Sequence, residues 1–267
     1  MPHHDKDTHH EGHGQKEHGR GHGPGHQGGY AHHHKPQSIE KAMEPINYKI
    51  AIISGKGGVG KTSVVVNLAA AFKSKMYEVG IFDADVHGPS VPKMTGIKTE
   101  MRDLLHGSHG IDPVVNEQGL KVMSVALIWP TDMTPIMWRG QYKARVLRQF
   151  LSSIKWHEMD FLFVDLPPGT GDEPLTVAQT IPDAKAVIVT TPQEVSLADV
   201  RKSISFCRTV KMEIFGLVEN MSGYVCPHCG EQVDLFGSGG GEKTALNAGL
   251  PFLGRVPFDP KVVACGD

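Results

Sequence analysis

Ser54–Thr62, S-G-K-G-G-V-G-K-T, is a glycine-rich segment that lies between two apolar runs. An apolar run at 49–53 precedes it and an alanine-rich apolar run at 63–72 follows it, which predicts a strand, a glycine loop and a helix. The spacing matches the G-x-x-x-x-G-K-[ST] pattern of a P-loop. Glycines let backbone N–H groups surround phosphate oxygens where a Cβ would collide, and the start of the helix adds unpaired N–H groups. The sequence therefore predicts a nucleotide-phosphate site between this strand and this helix.

Most of this loop is expected to contact the nucleotide. Lys61 should reach the β- and γ-phosphates, and the Thr62 hydroxyl should ligate Mg²⁺. The predicted nucleotide-binding residues of the loop are Gly55, Lys56, Gly57, Gly58, Val59, Gly60, Lys61, Thr62 and Ser63.

Lys56 is a second lysine in the loop, directly after the first glycine. A lysine at this position points away from the γ-phosphate of its own chain. In this respect the loop resembles that of the deviant Walker-A ATPases, which include MinD, ParA and the nitrogenase iron protein. That resemblance implies a dimer in which Lys56 enters the partner's nucleotide site as a catalytic residue; a solvated loop lysine is the alternative.

Carboxylates follow two of the other predicted strands. The strand at 77–82 ends in Asp83 and Asp85, and the strand at 160–164 ends in Asp165, a Walker-B pattern. Strand ends of this kind face the ligand crevice of an open α/β sheet. We expect Asp165 to hold the Mg²⁺ shell and Asp85 to hold Mg²⁺ through water or to position the attacking water, whereas Asp83 is either a second carboxylate or a turn residue. The glycine- and proline-rich loop at 166–172 is expected to switch with the γ-phosphate.

Composition bounds the class of protein. The 267 residues carry a formal net charge of −2 and no apolar run long enough for a transmembrane helix, so we expect neither a membrane nor a nucleic-acid partner. A chain with a P-loop, four cysteines and no signal-like apolar stretch is expected to be cytoplasmic, with reduced thiols.

The histidines divide the chain. Eleven of the 16 lie within residues 1–37, a polar segment that we expect to be disordered and that is a candidate for weak Ni²⁺ or Zn²⁺ binding; an expression tag and an inert tail are the alternatives. Residues 38–47 are expected to link this tail to one P-loop domain at 48–267, with an insertion near 221–236.

The base of the nucleotide is expected to be adenine. A guanine-reading N-K-x-D or T-K-x-D box is absent from the sequence. Asn220, at the end of an apolar strand at 214–218, is the candidate that reads the adenine edge, and a plain turn asparagine is the alternative.

Cys226-Pro227-His228-Cys229-Gly230 is the remaining chemical signal. A C-x-x-C pair brings two thiolates onto one metal ion or cluster. A redox dithiol would need a helix directly after the motif, but a strand-like stretch follows. A closed zinc site would need two more ligands, either Cys207 and Cys265 or the same motif from a second chain on a two-fold axis.

Several motifs together resemble the Mrp/ApbC (Mrp/NBP35) family of P-loop ATPases that carry iron–sulfur clusters. The resemblance covers about residues 45–264 and depends on G-K-G-G-V-G-K-T, D-A-D-V-H-G-P-S-V-P, W-R-G, D-L-P-P-G-T-G-D-E-P-L, T-T-P-Q-E-V-S-L-A-D-V, E-N-M-S-G and C-P-H-C-G. It implies a homodimer in which Cys226 and Cys229 of both chains ligate a labile 4Fe-4S cluster. The resemblance also implies that the cluster passes to apo-proteins and that ATP hydrolysis supports loading or release. We expect the intrinsic turnover to be slow, because no strong general base is visible in the sequence.

The chain departs from that family in two places. At the N-terminus, histidines stand where eukaryotic relatives have a four-cysteine site. At the other end, relatives continue past V-P-F-D-P into a final helix, whereas this sequence ends at Asp267. We therefore expect a truncated or shortened C-terminal end.

The expected fold is a doubly wound, mainly parallel sheet with helices on both faces. Two other functions stay open at this point: a MinD/ParA-like positioning ATPase with structural zinc, and a histidine-rich nickel or zinc metallochaperone.

Overall fold

The structure, a computed structural model, describes residues 38–85, 88–98, 110–127, 140–181 and 183–262. None of the helices in these ranges is long and apolar enough to cross a membrane. The histidine-rich tail at 1–37 and Cys265 lie outside the described residues.

Helices and strands alternate along the described chain. In order they are α1 (Ile39–Met43), β1 (Ile46–Ile53), α2 (Lys61–Ser74), β2 (Val79–Asp83), α3 (Val91–Met94), β3 (Val114–Val115), β4 (Lys121–Ser124), a 3₁₀ turn (Val125–Leu127), α4 (Gly140–Ser153), β5 (Met159–Asp165), α5 (Asp172–Thr180), β6 (Lys185–Thr190), α6 (Glu194–Thr209), β7 (Ile214–Val225), β8 (Gln232–Val233), α7 (Gly240–Ala248) and β9 (Phe252–Phe258).

The strands form one sheet in the order β3-β4-β2-β5-β1-β6-β7-β8, and β9 also pairs with β7. The pairings β4–β2, β2–β5, β5–β1, β1–β6, β6–β7 and β7–β9 are parallel, whereas β3 and β8 pair antiparallel to their neighbours. The mainly parallel α/β sheet that the sequence predicts is therefore confirmed.

Two apolar clusters cover the two faces of this sheet. Leu162 and Val164 of β5 belong to one cluster and Phe163 to the other, as the alternation of side chains along a strand requires. Burial on both faces explains why the central strands are nearly continuous apolar runs. The same arrangement brings the carboxyl ends of β1, β2, β5, β6 and β7 to one edge, where the glycine loop also lies.

Two segments differ from the expectation. Residues 38–47 are not an open linker: they contain α1 and the start of β1, and Ala42 and Met43 are 3% and 0% exposed. Ser38 caps α1 by accepting a hydrogen bond from the N–H of Lys41 at 3.3 Å. The strand expected at 214–218 continues to Val225, so that it delivers the chain directly to Cys226.

Candidate functional site: a phosphate loop and a cysteine hairpin

The glycine loop ends where α2 begins. Gly58 and Gly60 have φ of 78° and 76°, in the left-handed region where residues with a Cβ are strained. Gly60 is the N-cap residue of α2 and supplies no side-chain cap, and no acidic residue lies in the first turn. The N–H groups of this turn are therefore free of side-chain caps and suited to an anion such as a phosphate.

Lys61 and Thr62 both contact the carboxylate of Asp165. The Lys61 ammonium forms an ion pair with Oδ1, and the Thr62 hydroxyl donates to Oδ2 at 2.6 Å. Lys61 is 7% exposed and Asp165 1%. The structure thus brings together the three side chains that the sequence assigns to phosphate and Mg²⁺. A hydroxyl and a carboxylate oxygen side by side, with a cation next to them, are a donor set that fits Mg²⁺ and a nucleotide phosphate.

Asp83 lies beside Asp165 in the neighbouring strand and is 0% exposed. It accepts hydrogen bonds from the N–H of Asp85 and the hydroxyl of Ser124, each at 3.1 Å. Burial, with the Asp165 charge as the second cause, raises the pKa of Asp83 to about 7. The structure therefore makes Asp83 part of the buried carboxylate pair and not a surface turn residue.

Asp85 is joined to this pair through its backbone N–H, which donates to Asp83 Oδ1. It is partly exposed, and its Oδ1 accepts the N–H of Gly88 at 3.2 Å. Because the Asp85 carboxylate is partly exposed, water can reach it, and it is suited to orient a water molecule. Its catalytic role stays a prediction.

The loop after β5 contacts the start of the glycine loop. Gly169 donates its N–H to the carbonyl of Ser54 at 3.0 Å, and Leu166 donates to the carbonyl of Ile52 at 3.3 Å. Because of these two hydrogen bonds, a displacement of one loop displaces the other. Lys56 belongs to the glycine loop and is partly exposed, and its carbonyl accepts the hydroxyl of Ser54 at 2.9 Å.

Asn220 lies under the glycine loop. Its side-chain amide donates to the carbonyl of Val59 at 2.8 Å, and it is 7% exposed. It also borders a cavity of about 640 Å³ on the α2 face of the sheet, which Ser63, Asn67 and Pro257 line as well. Adenine reading by Asn220 stays a prediction, because the amide N–H seen here is engaged by the loop itself.

Cys226 and Cys229 lie in the turn between β7 and β8, which pair antiparallel and form a cysteine hairpin, defined here as residues 224–233. The turn is closed by hydrogen bonds from the N–H of Gly230 to the carbonyl of Cys226 at 2.8 Å and from the N–H of Cys226 to the carbonyl of Glu231 at 2.9 Å. Hydrogen bonds from the backbone of Cys229 and His228 lower the pKa of the Cys226 thiol. A turn that presents N–H groups to a thiolate suits a metal ligand, and the strand that follows does not suit a redox dithiol.

The other thiols do not complete this site within the described chain. Cys207 is 0% exposed in α6, and burial raises its pKa to about 11. In the described ranges no group of three or more His, Cys, Asp or Glu side chains could hold a metal ion. The described part of one chain therefore offers two accessible sulfur ligands. Of the two ways to complete a four-ligand site, burial of Cys207 speaks against the one that uses Cys207 and Cys265, and the motif of a second chain stays open.

Sequence reasoning missed Glu219, a carboxylate that is 0% exposed at the carboxyl end of β7. The available signal was an acidic residue after an apolar strand, the same signal that pointed to Asp83 and Asp165. Two of its partners, Gly239 and Gly241, lie 20 and 22 residues further along the chain, beyond the reach of local patterns.

A parallel sheet with a glycine loop before α2 and carboxylates at the ends of β2 and β5 defines a P-loop NTPase. The chain belongs to the ParA/NUBPL iron-transfer P-loop NTPase family, whose model matches residues 45–267.

Known relatives agree with that membership. The chain is 51% identical over 230 residues to an iron-sulfur cluster carrier protein of Methanocaldococcus jannaschii, an alignment that covers 86% of this chain and 79% of the relative. It is 43% identical to a cytosolic Fe-S cluster assembly factor NUBP2 homolog of Dictyostelium discoideum, with 84% and 86% covered.

Two solved structures support the fold. A nucleotide-binding protein of Archaeoglobus fulgidus in complex with ADP superposes with a TM-score of 0.75 at 37% identity, covering 87% of this chain and 90% of the other. The cell division ATPase MinD of Pyrococcus furiosus superposes with a TM-score of 0.60 at 22% identity, covering 82% and 87%, and speaks for the fold alone.

Proposed function

We propose that this chain is an ATP-binding iron–sulfur cluster carrier, which holds a labile cluster on Cys226 and Cys229 and transfers it to apo-proteins. The observation that carries the proposal is the cysteine hairpin itself. It presents two accessible thiols at the tip of a turn, in a chain whose family and relatives are named for iron transfer and cluster carriage. These names favour a carrier over a positioning ATPase of the MinD/ParA kind.

Two chains are needed to complete the cluster site in this proposal. A 4Fe-4S cluster takes four cysteine ligands, and one hairpin supplies two, so a two-fold axis through the hairpin gives the full set. The hairpin and the residues just after it expose the apolar side chains Val225, Val233 and Leu235, at 57%, 39% and 54%. Apolar groups on a small exposed element are typical of a surface that associates. We therefore propose a homodimer that bridges the cluster.

The P-loop supplies nucleotide binding and, in this proposal, slow ATP hydrolysis. Thr62 and Asp165 would ligate Mg²⁺, Lys61 would leave Asp165 for the phosphates, and Asp85 would orient the attacking water. Lys56 of each chain would stabilise charge in the partner's site. Bound magnesium would neutralise phosphate charge. The chain's own side chains would hold the metal, contact the phosphates and orient the water.

Anaerobic reconstitution with iron and sulfide tests the cluster assignment. The wild-type chain should bind about four iron and four sulfide per two chains. Cys226→Ser and Cys229→Ser should each lose most of the iron, whereas Cys207→Ser, a matched change of a buried thiol, should keep it. Full cluster content in the Cys226→Ser/Cys229→Ser double variant would reject the assignment.

We also propose that the tail at 1–37 binds Ni²⁺ or Zn²⁺ weakly, because eleven imidazoles in a polar segment are ready ligands. Calorimetric titration of the full chain against a chain lacking residues 1–37 tests this. Equal metal uptake by both chains would reject it.

A further inference from the structure

β7 joins the glycine loop to the cysteine hairpin as one continuous strand. It pairs with β6 on one side and with β9 on the other, and it continues to the residue before Cys226. Its pairing with β9 shifts register between Asn220 and Tyr224, where Met221 and Gly223 have φ of 55° and 82°. The strand therefore bends between its contact with the nucleotide site and the thiols.

Asn220 fastens this strand to the glycine loop. Besides the hydrogen bond to the carbonyl of Val59, its amide nitrogen lies so close to Gly60 that a Cβ there would be 2.3 Å away. Val59 and Gly60 belong to the backbone that turns its N–H groups toward a phosphate. A phosphate that reorients this backbone must therefore move the Asn220 side chain or break its bond.

Glu219, the preceding residue, fastens the same strand to both ends of the segment that carries the cysteines. Its buried carboxylate accepts the hydroxyl of Ser222 at 2.6 Å, the N–H of Gly239 at 2.9 Å and the N–H of Gly241, and Arg255 Nε lies at 3.4 Å. Ser222 precedes the cysteine hairpin and Gly239 follows it. One carboxylate thus holds the chain where it enters and where it leaves this region.

Capping of α7 explains only part of this arrangement. A carboxylate near the N–H groups of Gly239 and Gly241 stabilises the helix start. A cap needs neither the bond to Ser222 nor a position beside Asn220. The bond to Ser222 spans the bend at Met221, which is the place where a change in the loop would alter the direction of the strand.

We propose that Glu219 and Asn220 form a junction through which the nucleotide state of the glycine loop sets the exposure of Cys226 and Cys229. A displacement of Val59 moves Asn220 through their hydrogen bond. Glu219, the adjacent positioning residue, then shifts Ser222 and Gly239 through its own hydrogen bonds. This inference rests on the proposed function, since it gives nucleotide binding a route to the cluster ligands.

The rate of thiol alkylation measures this coupling without iron. Metal-free full-length chain, carrying Cys265→Ser so that the hairpin thiols are the ones counted, is treated with a maleimide at saturating Mg·ADP, at saturating Mg·ATP and without nucleotide. Bound nucleotide is verified with a fluorescent analogue. The rate with and without nucleotide should differ about fivefold or more, the lower end of typical couplings between sites.

Glu219→Gln should bring this ratio close to one while nucleotide affinity stays within about twofold, because the junction and not the phosphate site is damaged. Glu242→Gln is the matched control, since Glu242 also pairs with Arg255 but is exposed, and among the described residues its carboxylate is not bonded to Ser222 or Gly239. It should keep the full ratio. Asn220→Ala should lose the ratio even at saturating nucleotide.

A wild-type ratio of one at verified saturation overturns the junction, and so does a full ratio in both Glu219→Gln and Asn220→Ala. Where circular dichroism shows Glu219→Gln to be unfolded, Ser222→Ala decides, and it should reduce the ratio by at least about half. Iron content is measured on the same preparations. Normal iron with no nucleotide effect rejects the junction alone, whereas absence of iron on the hairpin rejects the proposed function.

Discussion

The ion pair between Lys61 and Asp165 should be the most strongly coupled pair of charges in the nucleotide-free molecule. Both side chains are nearly buried, at 7% and 1% exposure, and Asp83 lies next to them with a second buried carboxylate. Removing one partner leaves an uncompensated buried charge, which costs about 3–5 kcal/mol. We therefore expect Lys61→Ala and Asp165→Asn each to lower the free energy of unfolding by about 3 kcal/mol or more.

The double variant should cost little more than either single change, because it leaves neither charge unpaired. The coupling energy should then be about 2–3 kcal/mol, measured by urea unfolding in a double-mutant cycle with EDTA and without nucleotide. Lys185 and Glu213 are the matched control: their charged atoms are 3.0 Å apart, but the side chains are 41% and 66% exposed. Their coupling should be below about 1 kcal/mol. Additive effects of Lys61→Ala and Asp165→Asn, within about 0.5 kcal/mol, would refute the reasoning.

Four further results are expected. Asp83 has a pKa of about 7 in the native state against 3.8 for the ordinary group, so between these pH values the native state binds more protons than the unfolded state. The free energy of unfolding should therefore fall as pH rises from 3.8 to about 7. Asp83→Asn should flatten this pH dependence in urea unfolding of the Mg²⁺-free chain, and an unchanged pH dependence contradicts the raised pKa of Asp83. Gly60→Ala should abolish binding of a fluorescent ATP analogue, because φ is 76° and the new Cβ would meet Asn220 at 2.3 Å; wild-type affinity would show that the loop is not held as described. Lys56→Ala should lower ATP turnover by about tenfold or more if the lysine acts in the partner's site, with nucleotide affinity as the control. Cys207 should resist maleimide in the folded chain, as peptide mapping will show, since burial raises its pKa to about 11.

The phosphate site was accessible from the sequence because its signals are local. The glycine spacing, the apolar runs before Ser54 and before Asp165, and the alternation of strands with helices each follow from neighbouring residues. Parallel strands then bring their carboxyl ends to one edge, so the meeting of Lys61 and Asp165 follows from the fold class.

The rest of the site depends on long-range contacts that no local pattern contains. The extension of β7 to Val225 was missed because Glu219, Asn220, Ser222 and Gly223 interrupt the apolar run in the sequence. Pairing with β8 and β9 holds these residues in the strand all the same. Glu219 meets two of its partners, the N–H groups of Gly239 and Gly241, only where the chain returns at the start of α7. The direct bond of Lys61 to Asp165 likewise joins residues 104 apart in the sequence, and the motif itself does not contain it.

The segment at 38–47 is a different case, because its signal was present and local. Ile39, Ala42 and Met43 follow helical spacing, and Ser38 is a favoured N-cap residue. The short length of the segment and its position after a polar tail led to the expectation of a linker.

Native mass spectrometry of the anaerobically reconstituted protein counts chains and cluster in the same species. We expect a species of two chains that carries one 4Fe-4S unit, and this species should be lost in Cys226→Ser or Cys229→Ser and kept in Cys207→Ser. A cluster carried by a single chain, or a two-chain cluster species that survives in the Cys226→Ser/Cys229→Ser double variant, would rule out a cluster shared by two cysteine hairpins.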